Sequence, residues 1–392
     1  MDFTNLKNFM NWMAEECTPG NSIEIYLAGQ KVFQYTAGYS NLEKQIPLMG
    51  EEMYNIYSCS KITTVTAGMQ LLEQGKFLLT DPLYDYIPEF REMYIKMSDG
   101  RLKKAENAIT IGDLFSMTAG FSYTFQTPGF ARASEVTGGK MDTVETIRCV
   151  AKDPIFFEPG TRWQYSICHD VLAALISVVS GQKFREYVTE HIFMPLDMKE
   201  SVYHHTPETL KRTAEQYSFV QSGREDIDIV EAQKFGGVGD GYFRNVGKEC
   251  SHILGSEYDS GGAGIITTVS DYAKLMAALA SNGMGLTGER ILSSYSVELM
   301  RTNRLNKELL KDYNMKQVIG CGYGLGVRTH MEPSKSGVLS STGEFGWGGA
   351  AGATAIIDSS IGLGVFYAQH VLNPREEYYQ PRLRNVVYSC LK

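Results

Sequence analysis

Strand-like alternation of apolar and polar residues is concentrated near the two ends of this 392-residue sequence, and helical spacing fills the long stretch between them. Near the start, "SIEIYLAGQKVFQYTAGYS" alternates Ile23, Ile25 and Leu27 and then, beyond Gly29 and Gln30, Phe33 and Tyr35, which predicts a hairpin with Gly-X in its turn. Past residue 320 the strand pattern returns in "CGYGLGVRTHM", "AAGATAIID" and "GLGVFYAQHV". Helical spacing marks both extremities, through Phe3, Leu6, Phe9 or Met10 and Met13 at one and Leu383, Val386, Val387 and Cys390 at the other. Such a chain buries its apolar faces if the end strands pair into one antiparallel sheet flanked by the terminal helices. The expected fold is therefore α+β, with a discontinuous sheet domain from residues 1–58 and 301–392 and a mostly helical insertion domain at 59–300. A site is expected in the cleft between them.

Charge narrows the partners. The 37 Lys and Arg against 45 Asp and Glu give a net charge of -8 without long runs of either sign, so no footprint for nucleic acid is present. The longest apolar run, "VLAALISVV", is nine residues, well short of the roughly 20 that cross a bilayer. Seven scattered cysteines, an odd number without a C-x-x-C pair, read as free thiols, and with no apolar leader at the start a cytoplasmic protein is expected. G-x-S-x-G, H-E-x-x-H and a Walker loop are missing, there is no true G-x-G-x-x-G fingerprint, and no histidine pair has metal-ligand spacing on a helix, so neither metal nor cofactor is expected. The alternating Gly320, Gly322, Gly324 and Gly326 fit a strand that something approaches closely, and His204 and His205 fit a solvated loop.

"YSCSKITT", residues 57–64, sets Ser58, Cys59 and Ser60 ahead of Lys61. In a helix beginning near Ser58, at about 100° per residue, Lys61 stands one turn above Ser58 on the same face. Cys59 lies roughly 200° and Ser60 roughly 100° around from the lysine, which leaves both in packing roles. Free N–H groups and the dipole at a helix start also favour an oxyanion beside such a serine. The S-x-x-K spacing recurs at Ser180–Lys183 and Ser389–Lys392, so the tetrapeptide needs context. His169 and Asp170 follow Cys168 at a helix start, where Asp170 reads as a cap and His169 as structural.

Context comes from five ordered blocks: "YSCSKITTVTAGMQLLEQGKFLLTDPLYDYIP", "ITIGDLFSMTAGFSY", "FEPGTRWQYSICHDVLAALISVVSG", "GGAGIITTVSDYAKLMAAL" and "GEFGWGGAAGATAIID". Together they resemble the serine β-lactamase and penicillin-binding protein superfamily, in particular class C β-lactamases and above all family VIII carboxylesterases. The resemblance implies a β-lactamase/DD-peptidase-like fold with its site between the sheet lobe and the helical lobe. It also implies Ser58 as nucleophile, Lys61 as its partner and Tyr165 as general base. The third block, W-G-G in these esterases, falls on Trp347, Gly348 and Gly349, and the N–H of Ala350 completes an oxyanion hole with that of Ser58. Tyr165 can act as phenolate only if its pKa, near 10, falls about three units, roughly 4 kcal/mol. Neutral Lys61 acting directly is the rival mechanism.

Two departures from the β-lactamase pattern bear on substrate. Ile167 stands where class C enzymes have Asn, and Trp347 replaces a lysine that would face a substrate carboxylate. Both changes suit a neutral ester or amide, and the aromatic stretch "GFSYTFQTPGF", with Phe121 and Tyr123, is a candidate acyl pocket, with loop packing as the plainer account. The expected function is a serine hydrolase, a carboxylesterase for short or medium acyl esters with transacylase activity as an extension. A β-lactamase or D-amino-acid peptidase-like amidohydrolase and a non-catalytic binding or assembly protein are the alternatives. The expected partner is a small-molecule ester or amide, not nucleic acid and not a membrane.

Overall fold

The computed structural model describes residues 1–223, 241–372 and 374–391. Its largest element is an 8-stranded sheet in the order Cys321–Tyr323, Arg328–His330, Phe345–Gly346, Thr354–Asp358, Leu363–Gln369, Gly20–Leu27, Gln30–Asn41, Ile46–Pro47. Every neighbouring pair is antiparallel. The two ends of the chain meet where Gly20–Leu27 pairs with Leu363–Gln369, Ile23 opposite Tyr367 and Ile25 opposite Val365.

The first hairpin turns at Ala28 and Gly29, both with positive φ (47° and 76°), and Gln30 already belongs to the second strand. The turn therefore sits one residue earlier than the Gly-X reading, because the mirror-image two-residue turn needs both central residues left-handed and Gly29 takes the second place.

Period-two alternation gives the sheet two different faces. Ile23, Ile25, Phe33, Val365 and Tyr367 meet Leu6, Met10 and Met13 of helix Thr4–Glu16 and Leu383 and Val387 of helix Glu376–Ser389. Fully burying each such side chain contributes roughly 1.5–3 kcal/mol. The opposite face, with Ala355, Ile357 and Phe366, joins the larger core that runs on through the helical region. Helix Val269–Ala280 lies on this face, where a side chain on Gly364 would come within 2.6 Å of the Met276 and Ala277 backbone. It belongs by sequence to the 59–300 stretch yet packs on the sheet, because its apolar stripe of Tyr272, Ala273, Met276 and Ala277 needs that surface.

Helix Ser60–Glu73 is the hub of the helical region, buried from Ser60 to Leu71. A helix buried on all sides needs neighbours all round. Gly68 admits the ring of Phe115 and the Leu172 side chain of helix Cys168–Ser180, 2.6 Å and 3.6 Å from where its Cβ would stand. Gly322 and Gly324 likewise sit against Asn303 and the Met300 carbonyl, at 2.4 Å and 2.2 Å from an added Cβ. Among the described residues no helix is long and apolar enough to cross a membrane.

Candidate active site

Ser58 lies in a 3-10 turn, Tyr57–Cys59, that runs straight into helix Ser60–Glu73. Tyr57 just before it has φ of +44°, a left-handed conformation that costs roughly 1–3 kcal/mol and persists only where the surroundings hold it. Here the Tyr57 hydroxyl donates to Gln216 Oε1 at 2.6 Å. The two neighbours of Ser58 anchor the turn: Cys59 is buried with Sγ 3.5 Å from the Trp347 carbonyl, and Ser60 Oγ accepts from the Ile265 N–H at 3.0 Å.

Helical phase brings Lys61 back over Ser58, with Nζ 3.3 Å from Oγ. Nζ also lies 2.7 Å from the Gly262 carbonyl and 3.4 Å from the Tyr123 hydroxyl. The amine is buried and its pKa is lowered from 10.5 to about 7, because desolvation outweighs the opposing pull of Asp170. A neutral amine fits these contacts. The Gly262 carbonyl only accepts and takes one N–H, the Tyr123 oxygen takes the other, and the lone pair is left toward Ser58 Oγ.

Tyr165 arrives from the loop before helix Cys168–Ser180 and stacks between Tyr123 (5.4 Å) and Trp347 (5.6 Å), with Lys61 Nζ 4.7 Å from its ring centre. Trp347 Nε1 donates to its hydroxyl at 3.3 Å, and Ser58 is a further hydrogen-bond partner. Of the two mechanisms the sequence leaves open, the Tyr165 phenolate is not favoured here. Burial drives the Tyr165 pKa upward, against the smaller lowering by Ser58 and Trp347. Lys61, itself pushed toward neutrality, supplies little charge to oppose that.

The Trp347-Gly348-Gly349-Ala350 segment runs beside the turn that carries Ser58. A Cβ on Gly349 would stand 2.2 Å from the Ile56 carbonyl, so only glycine lets the two backbones lie this close. The Ala350 N–H has no acceptor among the described residues, and Ala350 and Ser58 line the same cavity of about 350 Å³ with Tyr165, Trp347 and Gly348. Helix Glu376–Ser389 supplies its far wall through Glu376 and Gln380.

Of the proposed acyl-pocket residues, Phe121 and Ile167 line a second cavity of about 220 Å³ with Phe130 and Phe156. Tyr123 instead packs on Tyr165 and the Lys61 amine. Its position on the chain is two residues from Phe121, but its ring turns to Lys61 and Tyr165.

Several residues at the site escaped sequence reasoning. Asp170 is not a helix cap: Ile167 holds the cap position, and the Asp170 carboxylate turns inward, accepting from Ser260 Oγ at 2.7 Å and from the Gly262 N–H at 3.4 Å. Burial raises its pKa while Lys61 lowers it, so the two buried groups interact electrostatically. Gly262 leaves room for that pair, since its Cβ would meet Asp170 Oδ2 at 2.6 Å, the Tyr123 hydroxyl at 2.9 Å and Lys61 Nζ at 3.3 Å. The adjacent glycines in "GGAGII" were the available signal. His252 stands edge-on to Tyr57, Tyr123 and Phe125, its pKa lowered to about 4 by burial and then by Lys61. His169 is buried with Nε2 3.3 Å from the Phe115 carbonyl, whereas His204 is partly exposed and pairs with Asp259 at 3.0 Å.

The other S-x-x-K copies have different surroundings. Lys183 pairs with Glu257 at 2.6 Å, and Lys392 lies outside the described residues. No group of three or more His, Cys, Asp or Glu suited to a metal ion occurs among the described residues.

Comparison with known proteins covers most of the chain. The beta-lactamase family profile matches residues 7–388. Protein Rv1367c of Mycobacterium tuberculosis is 27% identical over 378 residues, spanning 93% of this chain and 89% of that protein. Esterase EstB of Burkholderia gladioli is 24% identical over 352 residues, 86% of this chain and 82% of its own. Among solved structures, EstCE1, a hydrolase with promiscuous acyltransferase activity, superposes with a TM-score of 0.77 at 22% identity, covering 98% of this chain and 97% of that one.

Proposed function

The chain belongs to the beta-lactamase family and is a serine hydrolase, and we propose that it is a carboxylesterase for short or medium acyl esters that works through an acyl-enzyme on Ser58. The observation that carries this reading is the 3.3 Å approach of Lys61 Nζ, a buried amine with a pKa near 7, to the Ser58 hydroxyl.

In the proposed cycle, the Lys61 lone pair takes the Ser58 proton as Oγ attacks the ester carbonyl carbon. The carbonyl π electrons move to oxygen, where the N–H groups of Ser58 and Ala350 receive the negative charge. Collapse breaks the bond to the leaving oxygen, which takes up the proton held by Lys61 through the neutral hydroxyl of Tyr165. Trp347 Nε1, by donating to the Tyr165 oxygen, leaves that phenolic proton free to point at the leaving group. Water or an acceptor alcohol then repeats the steps in reverse and frees Ser58. Acyl transfer to an alcohol is the same chemistry with a different second nucleophile, and the relation to EstCE1 supports it.

The apolar Ile167, two residues after Tyr165, and Phe121, which lines the same cavity as Ile167, support an acyl chain rather than the acylamino group of a penicillin. The proposed partner is therefore a neutral small-molecule ester. Intact-mass measurement tests the reading: wild type exposed to p-nitrophenyl butyrate or an alkyl phosphonate gains one acyl or phosphonyl group, and Ser58→Ala gains none. Equal nitrophenol release by both proteins refutes it. Faster turnover of a chromogenic cephalosporin than of the ester would replace the esterase with a β-lactamase.

A further inference from the structure

We infer that Glu376 and Gln380 form a subsite for a hydroxyl group on the leaving arm of the substrate, so that the preferred esters are those of polyols. The inference rests on the esterase reading and extends it to the alcohol half of the ester.

Both side chains come from the first two turns of helix Glu376–Ser389, at i and i+4, and so point from one face. They converge on Gly348, in the segment that carries the oxyanion-hole N–H: a Cβ there would stand 3.1 Å from Glu376 Oε1 and 2.5 Å from Gln380 Nε2. The same cavity holds Ser58, Tyr165 and Ala350, so a group bound at this wall is attached to an ester whose carbonyl lies at the nucleophile. On the esterase reading, the acyl chain is assigned to the separate cavity at Phe121 and Ile167. That leaves the cavity under Glu376 for the alcohol.

The wall is chemically incomplete as it stands. Glu376 Oε2 accepts from Gln317 Nε2 at 3.0 Å, whereas Oε1 receives no hydrogen bond and no cation pairs with the carboxyl among the described residues. Gln380 is 3% exposed, and its Nε2 makes no hydrogen bond of ordinary length among the described residues, its one electrostatic partner being the Tyr379 hydroxyl beside it. The neighbouring Tyr379 hydroxyl is taken up by the Gly352 carbonyl at 2.9 Å and Thr354 Oγ1 at 3.1 Å. Unmade hydrogen bonds of buried groups are expensive, and a guest that supplies both partners recovers them. One acceptor beside one donor is the complement of a hydroxyl, which gives a proton to Glu376 Oε1 and accepts one from Gln380 Nε2. An ammonium satisfies only the first and a carboxylate only the second. The Glu376 pKa, raised to about 7 by burial, keeps the carboxyl partly neutral, in which form its carbonyl oxygen still accepts from a hydroxyl.

The test compares glyceryl monobutyrate with propyl butyrate, which share the acyl group and differ in the hydroxyls of the leaving arm. Rates are normalised to alkaline hydrolysis of each ester. Wild type is expected to favour the glyceryl ester at least about tenfold in kcat/KM, the scale of one or two recovered hydrogen bonds. Glu376→Met and Gln380→Met should each reduce that ratio about tenfold. A variant that merely disturbs the fold lowers both rates together and leaves the ratio unmoved, which counts against the subsite. A wild-type ratio near one, with propyl butyrate turned over and Ser58→Ala inactive, overturns the subsite and leaves the esterase standing. Failure of wild type to exceed Ser58→Ala on either ester overturns both.

Discussion

The protonation of Lys61 should govern the pH dependence of turnover. Lowering its pKa from 10.5 to about 7 favours the neutral amine by about 5 kcal/mol relative to a solvated lysine. At pH 7 the neutral fraction rises from roughly 0.0003 to about one half, a gain of more than a thousandfold in competent base. The direction follows from the form required: neutral Lys61 is present above pH 7 and is lost as the pH falls. With p-nitrophenyl acetate, and with the rate of Ser58→Ala subtracted, kcat/KM is expected to climb about tenfold per unit up to a bend near pH 7 and to stay level through pH 9. The charged and titratable groups facing the amine supply the control. Asp170 raises its pKa, so Asp170→Asn should move the bend to lower pH by about one unit, while Cys59, Cys168 and the buried tyrosines are uncharged in this range. Glu376 also titrates near 7, across the cleft, and Glu376→Gln should leave the bend in place. A rate still rising beyond pH 10 would point to a Tyr165 phenolate and refute the assignment. So would a bend that follows Glu376 and ignores Asp170.

Other consequences are open to direct measurement. Gly349→Ala pushes a methyl into the Ile56 carbonyl, 2.2 Å away, and should cut ester turnover at least about a hundredfold by shifting the Ala350 N–H proposed for the oxyanion hole, with circular dichroism reporting whether the fold survives. Cys59→Ala should stay within about tenfold of wild-type activity, because a thiol whose pKa burial drives well upward takes no part in the chemistry; complete loss would reopen its role. Glu344→Gln leaves Arg328, now held by a bidentate pair at 2.6 Å and 2.8 Å, as an uncompensated buried charge. Urea denaturation should show a loss of about 3–5 kcal/mol, and a loss under 1 kcal/mol would mean the pair is far better hydrated than its burial implies.

How much of this was legible beforehand follows from the range over which each feature is determined. The alignment of Ser58 with Lys61 is local helix geometry, and period-two alternation was enough to find the strands that became the sheet centre. The turn at Ala28 and Gly29 was misjudged by one residue because register depends on which residues accept left-handed backbone. Burial was the main hidden variable. The Tyr165 and Lys61 pKa values depend on how much water the fold removes, and no spacing reports that. Asp170 looked like a cap because it stands at a helix start, whereas its partners, Ser260 and Gly262, are some 90 residues away in the sequence. Glu376 and Gln380 were invisible for the same reason: only the sheet places their helix over Gly348.

The pairing of Gly20–Leu27 with Leu363–Gln369 has a consequence for how the protein is made. A ribosome adding 5–20 residues per second needs roughly 20–70 s to go from the first strand to its central partner. Throughout that interval the first hairpin has one open edge, an invitation to pair with other chains, and its apolar face lacks the cover of helix Glu376–Ser389. The cavity is also unfinished, since Trp347, Ala350 and Glu376 emerge late. Nascent chains should therefore depend on holding chaperones, and messages cut short before residue 363 should yield aggregates instead of a weaker enzyme.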